Sequence, residues 1–357
     1  MTVVDQTDGI LPGPDPAPVR ELPFHRMALI SGQHSWWRTL AGTGVVLVGA
    51  LILGLVVLGA FGIAMAVLGE LTGAESMHVW DGIGETGATL LALAVVIPAV
   101  FLAARWVQRR PAGTVSSVAG RLRWRWLGLC LALAVVPIAG LFLIDFLLGG
   151  YEGMTWVGLP SFLLGLAVIC SLVPFQAAAE EYAFRGWLIQ AVGAHVRSPW
   201  IAVLPQSVLF AAAHGWGTPW GFAELAVFGL VMGLVTIRTG GLEAAIALHL
   251  LTNLAAFGVS AGIVGGLDSD ETAADMDWIA AAVSIPIMLL YAVVVLWMAH
   301  RRRISAVSTT SQETHAYSQT PGPHAQTSPG HQTPPPVQAS SHDKASPTTG
   351  EPESDDS

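Results

Sequence analysis

The chain predicts an all-α fold: a polytopic membrane helix bundle of about eight transmembrane helices with disordered N- and C-terminal tails. Three observations predict it. First, the 357 residues are 53% hydrophobic and only 11% charged, where soluble domains carry about 25% charged residues; the mean hydropathy is +0.58. Second, apolar runs recur at 40–68, 86–104, 126–148, 157–179, 199–213, 220–237, 244–267 and 278–299. A helix needs about 20 apolar residues to cross the hydrocarbon core. Third, the charges are segregated. All 16 Lys and Arg lie in the termini or in alternate inter-run segments, and the remaining segments contain none.

From the start of the chain, 1–23 is polar, with five prolines from Pro12 to Pro23, and reads as a disordered tail. It lacks a basic stretch leading directly into an apolar one, so the first hydrophobic run is expected to act as an uncleaved insertion signal. Residues 24–39 mix Phe24, Met27, Trp36 and Trp37 with Arg26 and Arg38, a composition suited to the membrane interface. Gly49, Gly54, Gly59 and Gly62 in the first run suit close helix packing. Cys130 and Cys170 both fall in apolar runs and read as small buried hydrophobes; they make no disulfide framework. The fifth and sixth runs are short for a span. Residues 304–357, rich in Ser, Thr, Pro, Gln and His, read as a second tail.

Charge placement orients the bundle. Arg105, Arg109, Arg110, Arg121, Arg123, Arg125, Arg185, Arg197 and Arg238 lie between alternate runs. The other segments hold Glu70, Glu75, Asp81, Glu85, and Asp268, Asp270, Glu271, Asp275, Asp277. The positive-inside rule makes the basic side cytoplasmic. Eight crossings then put both termini there, in a multi-pass protein of the cell membrane.

Ionisable groups at membrane depth are costly and therefore functional suspects. The outstanding cluster is Glu180-Glu181-Tyr182-Ala183-Phe184-Arg185, at the end of a charge-free run. On a helix Glu181 and Arg185 share a face and can pair. Glu180 points about 100° away and is left unpaired. Of 11 histidines, only His214 and His249 lie within or at the end of apolar runs. Phe210 shares a face with His214, and His249 with Asn253. A turn near Arg197-Ser198-Pro199 lies 17 residues from both Glu180 and His214, about 25 Å along either helix. An antiparallel pair therefore brings the two level. The fourth helix must then continue through Arg185 to about Ala194, and its charges must face a hydrated cavity. The depth of His249 follows less directly from the turn at 239–241.

At these residues the chain resembles the CAAX-processing and bacteriocin-processing membrane peptidases, also called the Abi or lysostaphin-resistance-A-like family. That family shows Glu-Glu-x-x-x-Arg, Phe-x-x-x-His and His-x-x-x-Asn in this order, and all three stand here intact. The resemblance implies a CAAX-protease-like core over 157–267, preceded by the interfacial segment and three helices over 24–156. An outer loop and last helix over 268–303 follow it. It implies endopeptidase activity within the membrane. Glu180 would activate water with His214, His249 and Asn253 would stabilise the oxyanion, and Glu181 and Arg185 would support them. Expected partners are a membrane-associated peptide or protein substrate and the lipid bilayer, with no nucleic acid. No cofactor is obligatory in this reading, since the His-Glu-x-x-His zinc pattern is missing. Zn2+ held by Glu180, His214 and His249 is the metal-dependent form of it. Two other classes compete: a non-catalytic immunity or scaffold protein on the same fold, and a proton-coupled transporter. The chain shows no internal repeat of the kind many transporters carry.

Overall fold

Among the described residues the eight apolar runs become eight apolar helices. We describe a computed structural model, which covers residues 20–72, 81–150 and 152–310. The helices are α1 (Trp36–Thr72), α2 (Gly82–Val107), α3 (Trp124–Leu147), α4 (Leu159–Gly193), α5 (Pro199–Ala213), α6 (Pro219–Thr239), α7 (Glu243–Gly262) and α8 (Trp278–Arg301). Seven are long and apolar enough to cross a membrane. The exception is α5, whose 15 residues extend only about 22 Å. The sixth run, expected to be short, is a full-length helix of 21 residues. It starts with Pro219 in the first turn, behind the capping side chain of Thr218.

Helix α7 lies at the centre, against α3, α4 and α6; α5 packs on α6, and α2 on α4. Helix α4 runs unbroken to Gly193, which matches the extension needed to level Glu180 with His214. Its ladder widens into a π-helical turn over Tyr182–Leu188, directly after the paired glutamates. Such turns are rare overall but frequent at functional sites. Arg185 is fully buried inside α4, so it leaves the tally of loop cations.

Helix α1 is peripheral. Of its four glycines singled out above, Gly49 and Gly54 face α2, while Gly59 and Gly62 face open space. The close approach is instead at Gly42, where a Cβ would lie 2.6 Å from the Trp187 ring. The Trp187 indole N–H also donates to Thr43 at 3.1 Å. Cys130 is buried as expected, but Cys170 is exposed on α4.

The segment before α1 turns its apolar residues into the protein. Phe24–Leu29 is a 3-10 turn whose Phe24, Met27 and Ala28 are buried within the protein. The His25 imidazole meets the Arg197 carbonyl at 3.1 Å. Residues on both sides assigned to tails form an antiparallel strand pair, Arg20–Pro23 with Val307–Thr310, in the register Leu22↔Ser308. Backbone pairing needs no apolar run, so composition did not reveal it. The pair sets the two ends of the described chain side by side. The rest of both expected tails, 1–19 and 311–357, lies outside the described residues.

The turn between α6 and α7 is covered by the loop between α2 and α3. Gly240 has φ +71°, and a Cβ there would meet the Ser305 carbonyl oxygen at 2.5 Å. Backbone bonds join Val118 N–H to the Gly240 carbonyl and Leu242 N–H to the Ser116 carbonyl. Arg123 binds both carboxylate oxygens of buried Glu243 at 2.7–2.8 Å. Arg110, buried in the same loop, donates to Gln108, Thr114 and Gln190 at 2.6–2.7 Å. Burial pushes its pKa down to about 9, which leaves it charged at neutral pH. These contacts sink the turn below the surface of the bundle, and that sets the depth of His249.

Candidate active site

Three helices bring their ionisable side chains to one place. Glu180 and Glu181 come from α4, His214 from the C-terminal end of α5, and His249 and Asn253 from α7. Each histidine is oriented by the partner of its Nδ1. His214 Nδ1 lies 2.9 Å from the Phe210 carbonyl oxygen, which can only accept, so Nδ1–H donates. His249 Nδ1 lies 2.8 Å from Glu181 Oε1 and donates in the same way. This leaves both Nε2 atoms facing Glu180, at 3.8 Å for His214 and 3.7 Å for His249 from the same Oε2.

Glu180 Oε2 is buried and has no hydrogen-bond partner among the described residues. With neutral imidazoles, three acceptor atoms then face one another, just beyond direct hydrogen-bond reach. Such a point repels itself unless donors or a positive charge occupy it. A water molecule, whose protons the acceptors would share, meets the requirement.

The remaining partners hold the cluster rigid. Glu181, fully buried, accepts from Arg185 at 3.1 Å as well as from His249. It thus serves α7 as well as the Arg185 to which spacing assigned it. The Arg185 guanidinium carbon lies 4.2 Å from the Phe210 ring centroid and 5.3 Å from that of Phe228. Cation–π attraction of this kind strengthens when desolvated. Phe210 and Phe228 stack on each other and meet His249 edge-on. The phenylalanine of the Phe210–His214 pair is therefore a platform for the arginine and both histidines.

Two polar residues escaped the sequence reading. Gln176 donates to Glu180 Oε1 and accepts from Asn253 Nδ2 at 3.1 Å. It ties the free carboxylate to the asparagine, and its position four residues before Glu180 was the available signal. Glu224, on α6, is 7% exposed and accepts from Ser284 on α8 at 2.7 Å. Its lone carboxylate inside an apolar run was the signal there.

A cavity of about 120 Å³ adjoins the cluster and is lined by His214, His249, Asn253, Glu224, Phe228 and Ser284, among others. One end is closed by the acidic loop between α7 and α8, through Ala273 and Met276. Thr272 donates to the His214 carbonyl at 3.1 Å, and Thr218 N–H to the Ala274 carbonyl at 2.8 Å.

Glu180, His214 and His249 have the chemistry of a Zn2+ donor set, and the carboxylate on His249 Nδ1 resembles the partner such ligands carry. Among the described residues no group of three or more His, Cys, Asp and Glu is gathered as a metal site. No step is routed through a metal below.

A protein of Bacillus subtilis (strain 168), described as the uncharacterized protein YyaK, is 32% identical over 166 residues. The aligned stretch covers 44% of this chain and 55% of that protein, so only about half the length of the relative is spanned. No solved structure matches the chain. A family model, the type II CAAX prenyl endopeptidase Rce1-like, matches residues 160–255. That stretch contains Gln176, Glu180, Glu181, Arg185, His214, Glu224, His249 and Asn253. Over residues 160–255 the chain is similar to the type II CAAX prenyl endopeptidase Rce1-like family.

Proposed function

We propose that this protein is an intramembrane endopeptidase that hydrolyses a peptide bond in a membrane-associated peptide or protein. The observation that carries the proposal is the convergence of Glu180 Oε2, His214 Nε2 and His249 Nε2 on one point. In this reading a water molecule sits there and Glu180 takes its proton as the oxygen attacks the peptide carbonyl. His214, held by the Phe210 carbonyl, orients that water. As negative charge develops on the carbonyl oxygen, donors from His249 and Asn253 stabilise it. The Glu181 carboxylate on His249 Nδ1 orients the ring, so that a proton carried on Nε2 points at that oxygen. Collapse of the tetrahedral species breaks the C–N bond. Glu180 returns its proton to the leaving nitrogen, so the proton count closes without a further acid.

The family match over 160–255 supports a membrane-embedded hydrolase of peptide bonds. The finer assignments are our own: glutamate-activated water without an obligatory metal, and basic loops and both termini on the cytoplasmic side of the cell membrane. A comparison of membrane peptidomes from cells with wild-type protein, with Glu180→Gln and with neither tests the reading. Fragments present only with wild-type protein are expected. Identical peptidomes in all three, with the protein inserted and folded, contradict it.

A further inference from the structure

The catalytic-site cavity does not stand alone. A second cavity of about 380 Å³ opens between the outer half of α3 and the start of α8. The two share Leu141, Met276 and Ser284 as lining residues, so they meet at Ser284, the residue that holds Glu224. The outer groove is apolar (Phe142, Ile144, Ile279 and Val283) apart from Asp145, Asp277 and Ser284. Neither cavity has a Lys or Arg among its lining residues. Asp277 is occupied as the α8 N-cap. Glu224 is different. It is more than nine-tenths buried, accepts from a neutral hydroxyl at Oε1, and lines the chamber beside His214 and His249. A carboxylate so desolvated calls for a cation or a strong donor, and among the described residues no Lys or Arg pairs with it.

From this we infer that Glu224 and Ser284 form a specificity subsite for a basic side chain of the substrate, with the adjoining apolar chain in the α3–α8 groove. The inference rests on the endopeptidase reading and names its substrate class: an apolar peptide segment carrying a Lys or Arg beside the scissile bond. An ammonium group entering from the groove meets Asp145 and Asp277 at the rim. It then passes Ser284 and reaches Glu224, beside His214 and His249 on the same chamber wall. Charge complementarity of this kind selects partners more than it adds affinity. A substrate with glutamate at that position would add a second carboxylate to an anionic chamber.

Binding tests the subsite apart from catalysis. The full chain with Glu180→Gln, which keeps the ligand intact, is titrated in detergent micelles with dansyl-labelled Leu/Ala octapeptides. These differ only in a central Lys, Gln or Glu, and binding is read by anisotropy against empty micelles. The Lys peptide is expected to bind at least tenfold tighter than the Gln peptide, and the Glu peptide weakest. Adding Glu224→Gln should bring Lys and Gln within twofold, and adding Ser284→Ala should narrow the gap. Equal affinity of the three peptides, or a Lys preference that survives Glu224→Gln, overturns the subsite. The peptide series alone decides if Glu224→Gln does not fold. Displacement of the Lys peptide by equimolar phosphatidylethanolamine would reassign the site to a lipid amine and overturn the peptide assignment. Absence of cleavage by the wild-type chain, with the Lys preference intact, would instead overturn the peptidase reading.

Discussion

Glu181 is the residue on which the cluster turns, because one buried oxygen accepts from both Arg185 and His249. Replacing it by Gln leaves Arg185 as a buried cation without its carboxylate. Breaking such a pair costs about 3–5 kcal/mol, so Glu181→Gln should lower the melting temperature clearly and reduce activity in what remains folded. Gln176→Ala separates position from stability. It removes the link between Glu180 and Asn253, and kcat should fall about tenfold with little change in melting temperature; the magnitude is that of one lost orienting hydrogen bond to a charged group. Unchanged kcat would show that the link is incidental. Glu180, His214, His249 and Asn253 were legible as residues, since i,i+4 spacing in apolar helices gives each a face. Their partners were less so. That Glu181 would join His249 to Arg185 depends on how α7 seats against α4, which no local spacing encodes.

At the scale of elements, helix lengths were readable from hydropathy and hidden supports were not. The extension of α4 to Gly193 followed from matching two arms of a hairpin about one turn. The depth of α7 did not follow, because it depends on the loop that covers Gly240 and on Arg123 reaching Glu243. Gly240→Ala should therefore act twice. A Cβ in this left-handed backbone, 2.5 Å from the Ser305 carbonyl oxygen, is strained, and its relief must shift the start of α7. Thermal stability and cleavage should both fall, whereas Gly59→Ala, which meets open space in α1, should change neither. The 24–29 segment gives a pH prediction. Burial, helped by Arg26, holds the His25 pKa below its ordinary 6.5, and its Nδ1 lacks a partner among the described residues. The unfolded segment then binds a proton that the folded one refuses, so this contribution is intact above pH 6.5 and is lost as the pH falls below it. Hydrogen exchange over 24–29 should quicken on acidification through that range and be less pH-dependent in His25→Gln.

For the molecule as a whole, the class of fold was plain from composition and the charge pattern, and the pairing of Arg20–Pro23 with Val307–Thr310 was not. Hydropathy records what enters the membrane; a backbone ladder between two polar segments leaves no such trace. The orientation remains a physical prediction from the placement of arginine. In chains lacking Cys130 and Cys170, a membrane-impermeant maleimide should label Ser269→Cys on intact cells and should label Ser305→Cys only after lysis. The reverse pattern would invert the bundle. The central claim, that Glu180 and the two histidines activate water for peptide hydrolysis, has a more direct test. Wild-type protein, Glu180→Gln and His214→Ala, each reconstituted in proteoliposomes and matched for melting temperature, are assayed on an apolar peptide with a central Lys. The account predicts cleavage by the wild-type chain and losses of about 100-fold or more in both variants, the scale of general acid–base catalysis. Cleavage by either folded variant at the wild-type rate would contradict it.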